Sequence, residues 1–219
     1  MNVNSTSVSV VAHPAAAALL TRLRDKQTAT EEFRQRLSAL TLLLVAEALR
    51  DATTVPDPVE TPLGRAEGLR LEPLPAIVPV LRAGLGMLDA TLRLVPGAPV
   101  GFIGMRRIEA SGGSGHNGIS HECYLESLPG VMEGAPVLLM DPMLATGGSA
   151  QAAIRVLRAA GVGPITMVCV LAAPEGVASM QRTAPDVRIV TAAVDSRLDE
   201  RAFIVPGLGD AGDRLYGSA

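Results

Sequence analysis

Aromatic side chains are nearly missing from this sequence: they make up 2% of its 219 residues, and Trp is absent. That argues against a protein that stacks nucleic-acid bases on rings. Positive charge is not concentrated either. The formal net charge is −3, the sequence pI is about 5.6, and no run of Lys or Arg marks a polyanion surface. No nucleic-acid partner is expected. Cysteine is scarce. Cys123 and Cys169 lie far apart without metal-ligand spacing, which predicts free thiols in a reducing compartment. The opening stretch MNVNSTSVSVVAHP has no basic region ahead of an apolar run. Pro, Gly or charge interrupts the apolar stretches before ~18 residues. No signal peptide and no membrane span is expected, and a cytoplasmic location follows.

What is present suits a globular α/β chain. Hydrophobic residues make up 48% and charged residues 19%, enough for a sizeable core built from Leu, Val, Ala and Ile. Residues 1–13 read as extended. Pro14 opens a helix through about Lys26. Thr30 is the expected N-cap of a longer helix, 30–53, with Glu31 and Glu32 in its first turn. Phe33, Leu37, Leu40, Leu44 and Ala48 give that helix one apolar face. Residues 53–64 contain three prolines and read as a linker or sheet edge. From residue 76 the pattern alternates. Strands are expected at Ile77–Leu81, Val100–Met105, Val137–Met140, Ile165–Leu171 and Val187–Val194, and helices at Leu85–Leu94, Gly148–Ala160 and after Pro174. Apolar strands separated by helices imply a parallel sheet covered on both faces. Residues 110–122, ASGGSGHNGISHE, interrupt the alternation. They read either as a solvated surface loop or as a mobile lid.

The most informative stretch is VLLMDPMLATGGS at 137–149. Asp141 follows an apolar strand at its carboxyl end, where open α/β sheets bind ligands. Ala145, Thr146, Gly147, Gly148 and Ser149 then turn into a helix. The glycines let backbone approach an anion, and the N–H groups, two hydroxyls and the helix N-terminus favour a phosphate dianion. The loop is neither GxxxxGK[ST] nor GxGxxG. A carboxylate placed before such a cradle can accept from the 2- and 3-hydroxyls of a ribose whose 5-phosphate sits in the loop.

With its neighbours, the stretch resembles the signature of type I phosphoribosyltransferases, and in particular the uracil phosphoribosyltransferase family. The resemblance runs from His13-Pro14 to Gly217 and is carried by VPVLRAGLGM at 78–87, DPMLATGGS at 141–149, AAPEG at 172–176 and VPGLGDAGDRLYG at 205–217. It implies the type I phosphoribosyltransferase fold: one domain over 1–219 with a mostly parallel sheet flanked by helices, a flexible loop at 106–128 and a C-terminal hood at 195–219. It implies transfer of a phosphoribosyl group from 5-phosphoribosyl 1-diphosphate (PRPP) to uracil, giving UMP and diphosphate. Arg82, Asp141 and Asp210 are the expected catalytic residues. The donor is expected to meet Arg82, Arg107, Asp141, Pro142, Met143, Leu144, Ala145–Ser149 and Asp210, and uracil to meet Ile204, Gly209, Asp210 and Ala211. Mg²⁺ is expected to arrive mainly through the diphosphate, with no dedicated protein ligands. GTP is a possible activator, and a homodimer or larger homo-oligomer is expected.

The chain departs from the family pattern at Arg106, where Tyr is common, at Ser127, where Lys is common, at Ala46 and Phe203, and throughout GGSGHNGISH. These departures touch the lid and leave both loops intact. His116 and His121 are not counted as catalytic groups. The alternatives are a paralogue with altered base preference and a non-catalytic, RNA-binding relative.

Overall fold

A computed structural model describes residues 8–109 and 119–217. The side chains of Arg107, Glu109, Ile119, Ser120 and His121 lie outside the described set, as does most of the polar insertion with His116. In chain order the elements are β1 (Val8–Val10), α1 (Pro14–Arg24), α2 (Thr30–Ala48), β2 (Thr54–Pro56), β3 (Val59–Thr61), β4 (Gly64–Ala66), β5 (Leu69–Leu71), β6 (Ala76–Leu81), α3 (Leu85–Leu94), β7 (Phe102–Glu109), β8 (Ile119–Ser127), β9 (Val137–Met140), β10 (Met143–Leu144), α4 (Gly148–Ala159), β11 (Ile165–Ala172), α5 (Pro174–Thr183), β12 (Arg188–Val194), β13 (Arg197–Leu198), β14 (Ile204–Val205) and α6 (Ala211–Tyr216).

The main sheet runs in the order β1-β12-β11-β9-β6-β7-β8, with β10 beside β11. Its ladders are parallel except for the antiparallel β7–β8 pair. Helices cover both faces, which is why β9 is buried at every residue and its sequence is continuously apolar. Alternation along each strand sends side chains to two cores. Ile77, Leu138, Met140, Val168 and Val170 join the core under α1 and α2 with Phe33, Leu37, Leu40 and Leu44. Val78, Val80, Leu139, Met167 and Cys169 join the core under α4 with Ala153 and Leu157. No helix among the described residues is long and apolar enough to cross a membrane.

Four expectations change. Thr30 is the first helical residue; Ala29 occupies the cap position and makes no side-chain capping bond. Helix α2 ends at Ala48 rather than 53, because its C-terminal turn closes on Leu49, whose N–H reaches the Val45 carbonyl. Its apolar face packs into the core, as its periodicity implies. The proline-rich segment is not a plain linker. Strand β2 pairs with β5 and β3 with β4, both antiparallel. Pro58 and Pro62 lie between these short strands, and Pro56 sits at a strand end, where a missing donor is tolerated. The flanks of the loop expected at 106–128 are strands: β7 continues through Glu109 and pairs with β8.

Candidate active site

The carboxyl ends of β6, β7 and β9 and the chain's C-terminal segment enclose a cavity of about 500 Å³. Strand β9 delivers Asp141 to its floor. The Asp141 carboxylate accepts from the Met143 N–H at 3.3 Å. Burial raises its pKa to about 7; the Met143 bond opposes that rise and the Asp210 charge adds to it. Asp141 therefore sits in a site where its proton is easily retained until something pairs with the carboxylate.

The loop Ala145–Ser149 forms the next part of the wall. Gly147 has φ +85°, a conformation disfavoured for other residues, and precedes α4. The first-turn N–H groups of α4 have no partner within the helix and are available to an anion. The Thr146 hydroxyl accepts from the Gly148 N–H at 3.4 Å. Gly176 of α5 lies against this loop so closely that a Cβ would come within 2.4 Å of the Ala145 carbonyl oxygen. The AAPEG motif is thus a support for the loop rather than part of the cavity wall.

On the opposite side, β6 ends in Leu81 and the loop Arg82-Ala83-Gly84 leads into α3. The Leu81–Arg82 peptide is cis. Gly84 packs against β9: a Cβ would lie 2.4 Å from the Met140 carbonyl oxygen. Arg82 is exposed on the cavity wall, and its carbonyl accepts from the Tyr216 hydroxyl at 2.9 Å. Burial raises the Tyr216 pKa, and the charges of Arg82 and Arg34 oppose it.

The C-terminal hood closes the third side with Ile204 and Gly209-Asp210-Ala211. Two basic residues anchor it. Arg24 at the end of α1 grips Asp195 through both terminal nitrogens, at 2.8 and 2.5 Å, and donates to the Gly207 carbonyl at 2.9 Å. Asp195 in turn accepts from the Gly207 N–H at 2.9 Å. Arg214 donates to the carbonyls of Leu23, Leu208 and Asp25, and stacks 4.4 Å from the Phe33 ring centroid. The Asp210 side chain caps α6 by accepting from the Asp213 N–H at 2.9 Å.

Of the residues singled out in the sequence, Arg82, Asp141, Met143, Leu144, Ala145–Ser149, Ile204, Gly209, Asp210 and Ala211 line this one cavity. Pro142 does not. It is buried, and its carbonyl accepts from Val170 and Leu171 at 2.9 and 3.1 Å. The Arg107 side chain lies outside the described set. Sequence reasoning missed Met105, Arg106, Tyr124, Ala202 and Phe203 on the wall. The β-branched and aromatic content of 119–127 is low and its apolar residues do not alternate, so the stretch gave no signal of the strand carrying Tyr124. The left-handed Ala202, φ +62°, had no sequence signal at all. Cys169 lies behind the site; burial pushes its thiol pKa up to about 12, which makes it inert.

A family profile described as uracil phosphoribosyltransferase matches residues 10–218. The chain belongs to the uracil phosphoribosyltransferase family. A relative of that name from Kineococcus radiotolerans is 50% identical over 215 residues, covering 96% of this chain and 98% of its own. Among solved structures, the AQ2163 protein from Aquifex aeolicus superposes with a TM-score of 0.88 at 35% identity, covering 97% of this chain and 99% of that chain. A hypoxanthine phosphoribosyltransferase from Staphylococcus aureus, at 12% identity and TM-score 0.51 over 80% of this chain and 85% of that one, shares the fold alone. The architecture is that of the type I phosphoribosyltransferases: a mostly parallel sheet flanked by helices, with the family's two sequence-marked loops facing one cavity.

Proposed function

We infer that this chain transfers the 5-phosphoribosyl group of PRPP to uracil, releasing diphosphate and forming UMP. The observation that carries the inference is a single cavity walled by a phosphate-type loop, an arginine loop and a glycine-rich hood, in a member of this family.

Each wall suits one part of the reaction. The 145–149 loop and the α4 N-terminus suit the 5-phosphate, and Asp141 suits the ribose hydroxyls. Arg82 supplies a guanidinium for the diphosphate, whose departure leaves positive charge on the ribose ring. Stabilising the leaving anion is then the main contribution to rate. The hood offers backbone donors and acceptors at Ile204 and Gly209–Ala211, matching uracil's two carbonyls and the N–H between them without charged side chains. N1 of the base forms its bond to the ribose carbon as the carbon–oxygen bond to diphosphate breaks, and the N1 proton passes to the departing diphosphate or to solvent. The walls hold the two reactants together, so no covalent nucleophile is required.

Magnesium fits this donor set. No cluster of three or more His, Cys, Asp or Glu capable of holding a metal occurs among the described residues. The acids Asp141 and Asp210 nevertheless bring negative charge to a cavity meant for anions; burial is the main cause of the raised Asp141 pKa, and the Asp210 charge adds to it. Asp210 would sit beside a divalent cation brought in with the diphosphate, and such a cation would supply compensating charge to the leaving group. GTP activation, a homo-oligomeric state and the second arginine contact from Arg107 belong to the same proposal. Basal activity with and without GTP at fixed Mg²⁺ tests the first of these.

The acceptor is tested by measuring diphosphate release from PRPP with uracil, cytosine, adenine and orotate. Release with uracil alone supports the assignment; preference for another base overturns it.

A further inference from the structure

The cavity wall carries a cation that the family-like motifs do not include. Arg106 lines the cavity together with Arg82. Strand register accounts for the pairing. Leu81 of β6 lies opposite Gly104 of β7 in a parallel ladder, so Arg82, just past the end of β6, neighbours Arg106, two residues further along β7. The β7–β8 register shifts between Gly104 and Met105: Gly104 faces Leu125, whereas Met105 faces Cys123. Tyr124 is the extra residue of this bulge, and a Cβ on Gly104 would lie 2.5 Å from its ring. Bulges re-aim side chains. Here the bulge brings Tyr124 onto the cavity wall and sets Arg106 directly across from Glu122. The Glu122 carboxylate accepts from Arg106 Nε and Nη2, both at 2.5 Å. Their side chains remain 62% and 44% exposed, and Glu122 does not line the cavity.

We propose that Arg106 binds the diphosphate end of the donor and that Glu122 competes with the donor for the same guanidinium. The proposal rests on the donor reading above. An exposed Arg–Glu pair is weak and easily exchanged. A diphosphate offers several oxyanions in the forked geometry that a guanidinium prefers, and carries more charge than one carboxylate. On donor arrival Arg106 turns from Glu122 to the diphosphate, and Arg82 and Arg106 flank the anion from adjacent strands. Glu122 thereby weakens binding of lone anions to the free site.

The test titrates inorganic diphosphate with Mg²⁺ into wild type, Arg106→Ala, Glu122→Gln and the double variant by calorimetry at low ionic strength. Arg106→Ala binds about tenfold more weakly, the loss of one charge-assisted contact. Glu122→Gln binds roughly two- to fivefold more tightly, the worth of an exposed ion pair. In the double variant the Glu122 change has no effect beyond that of Arg106→Ala. A pair that merely braces the hairpin weakens binding in both single variants. Loss in both, or unchanged affinity in either, overturns the proposal. The titration needs no base. A wild-type chain that binds diphosphate yet forms no UMP contradicts the transferase reading while leaving the Arg106 result interpretable.

Discussion

The Tyr216 hydroxyl donates to the Arg82 carbonyl at 2.9 Å, so the last helix of the chain is tied to the loop that presents the arginine. The link joins two walls of one cavity, the arginine loop and the α6 end of the hood. Tyr216→Phe removes one hydrogen bond, worth about 1 kcal/mol, and leaves the ring in place. Turnover should fall roughly two- to fivefold with little change in thermal stability. Steady-state kinetics with both substrates varied checks this; an unaltered turnover would mean the tie has no part in setting the arginine loop.

Asp141 predicts a pH signature. Its folded-state carboxyl titrates at about 7 because it is buried, whereas in the unfolded chain it titrates at about 4. Between these values the unfolded state releases a proton that the folded state keeps, so this group's contribution to stability falls as pH rises. Donor binding runs the other way, because ribose hydroxyls need an ionised acceptor, and strengthens from pH 6 to 8, about a unit on either side of that titration. Asp141→Asn should raise the melting temperature at pH 8 but not at pH 4. It should also flatten the pH dependence of donor affinity. Thermal scans and donor titrations at several pH values decide the matter.

Arg24 and Asp195 hold Gly207 of the hood from both its carbonyl and its N–H. Asp195→Ala strands a partly buried guanidinium and a backbone donor, at a cost of about 3 kcal/mol. Chemical denaturation should report that loss. Because Gly207 lies between Ile204 and Gly209, the KM for uracil should rise more than the KM for the donor. An equal rise in both would place the effect in the whole fold rather than in the hood.

Gly84→Ala should be costly beyond its single methyl group. The new Cβ would meet the carbonyl oxygens of Met140 and Val80 at 2.4 and 2.6 Å, and both are backbone atoms of central strands. Overpacking of this kind costs about 1–3 kcal/mol. The loop carrying Arg82 must move away from β9, so activity should fall by more than the loss of folded protein explains. Activity per folded molecule, from kinetics alongside circular dichroism, measures the difference.

Much of the sheet could be read in advance because β6, β9 and β11 are buried on both faces and announce themselves as apolar runs. The loop after β9 was legible because its function demands unusual residues in order: Asp141, two glycines and two hydroxyls. Other features depend on partners remote in the chain. Arg24 and Asp195 are 171 positions apart, and nothing local marks them as a pair. Strand β8 is polar because it lies at the sheet edge with residues 122–127 all exposed, so its pairing with β7 was hidden in a stretch that reads as loop. The 54–71 arm was obscured by prolines that sit between its short strands. Arg106 was passed over for Arg107 on resemblance, since no sequence rule shows which face a bulged strand will turn.

The central claim is that one cavity brings donor and uracil together with Arg82 at the leaving group. Uracil-dependent release of diphosphate from PRPP, compared between wild type and Arg82→Ala at saturating Mg²⁺, tests it most directly. The account predicts release with the wild-type chain and loss of most of that turnover in the variant. Wild-type turnover in Arg82→Ala would contradict it.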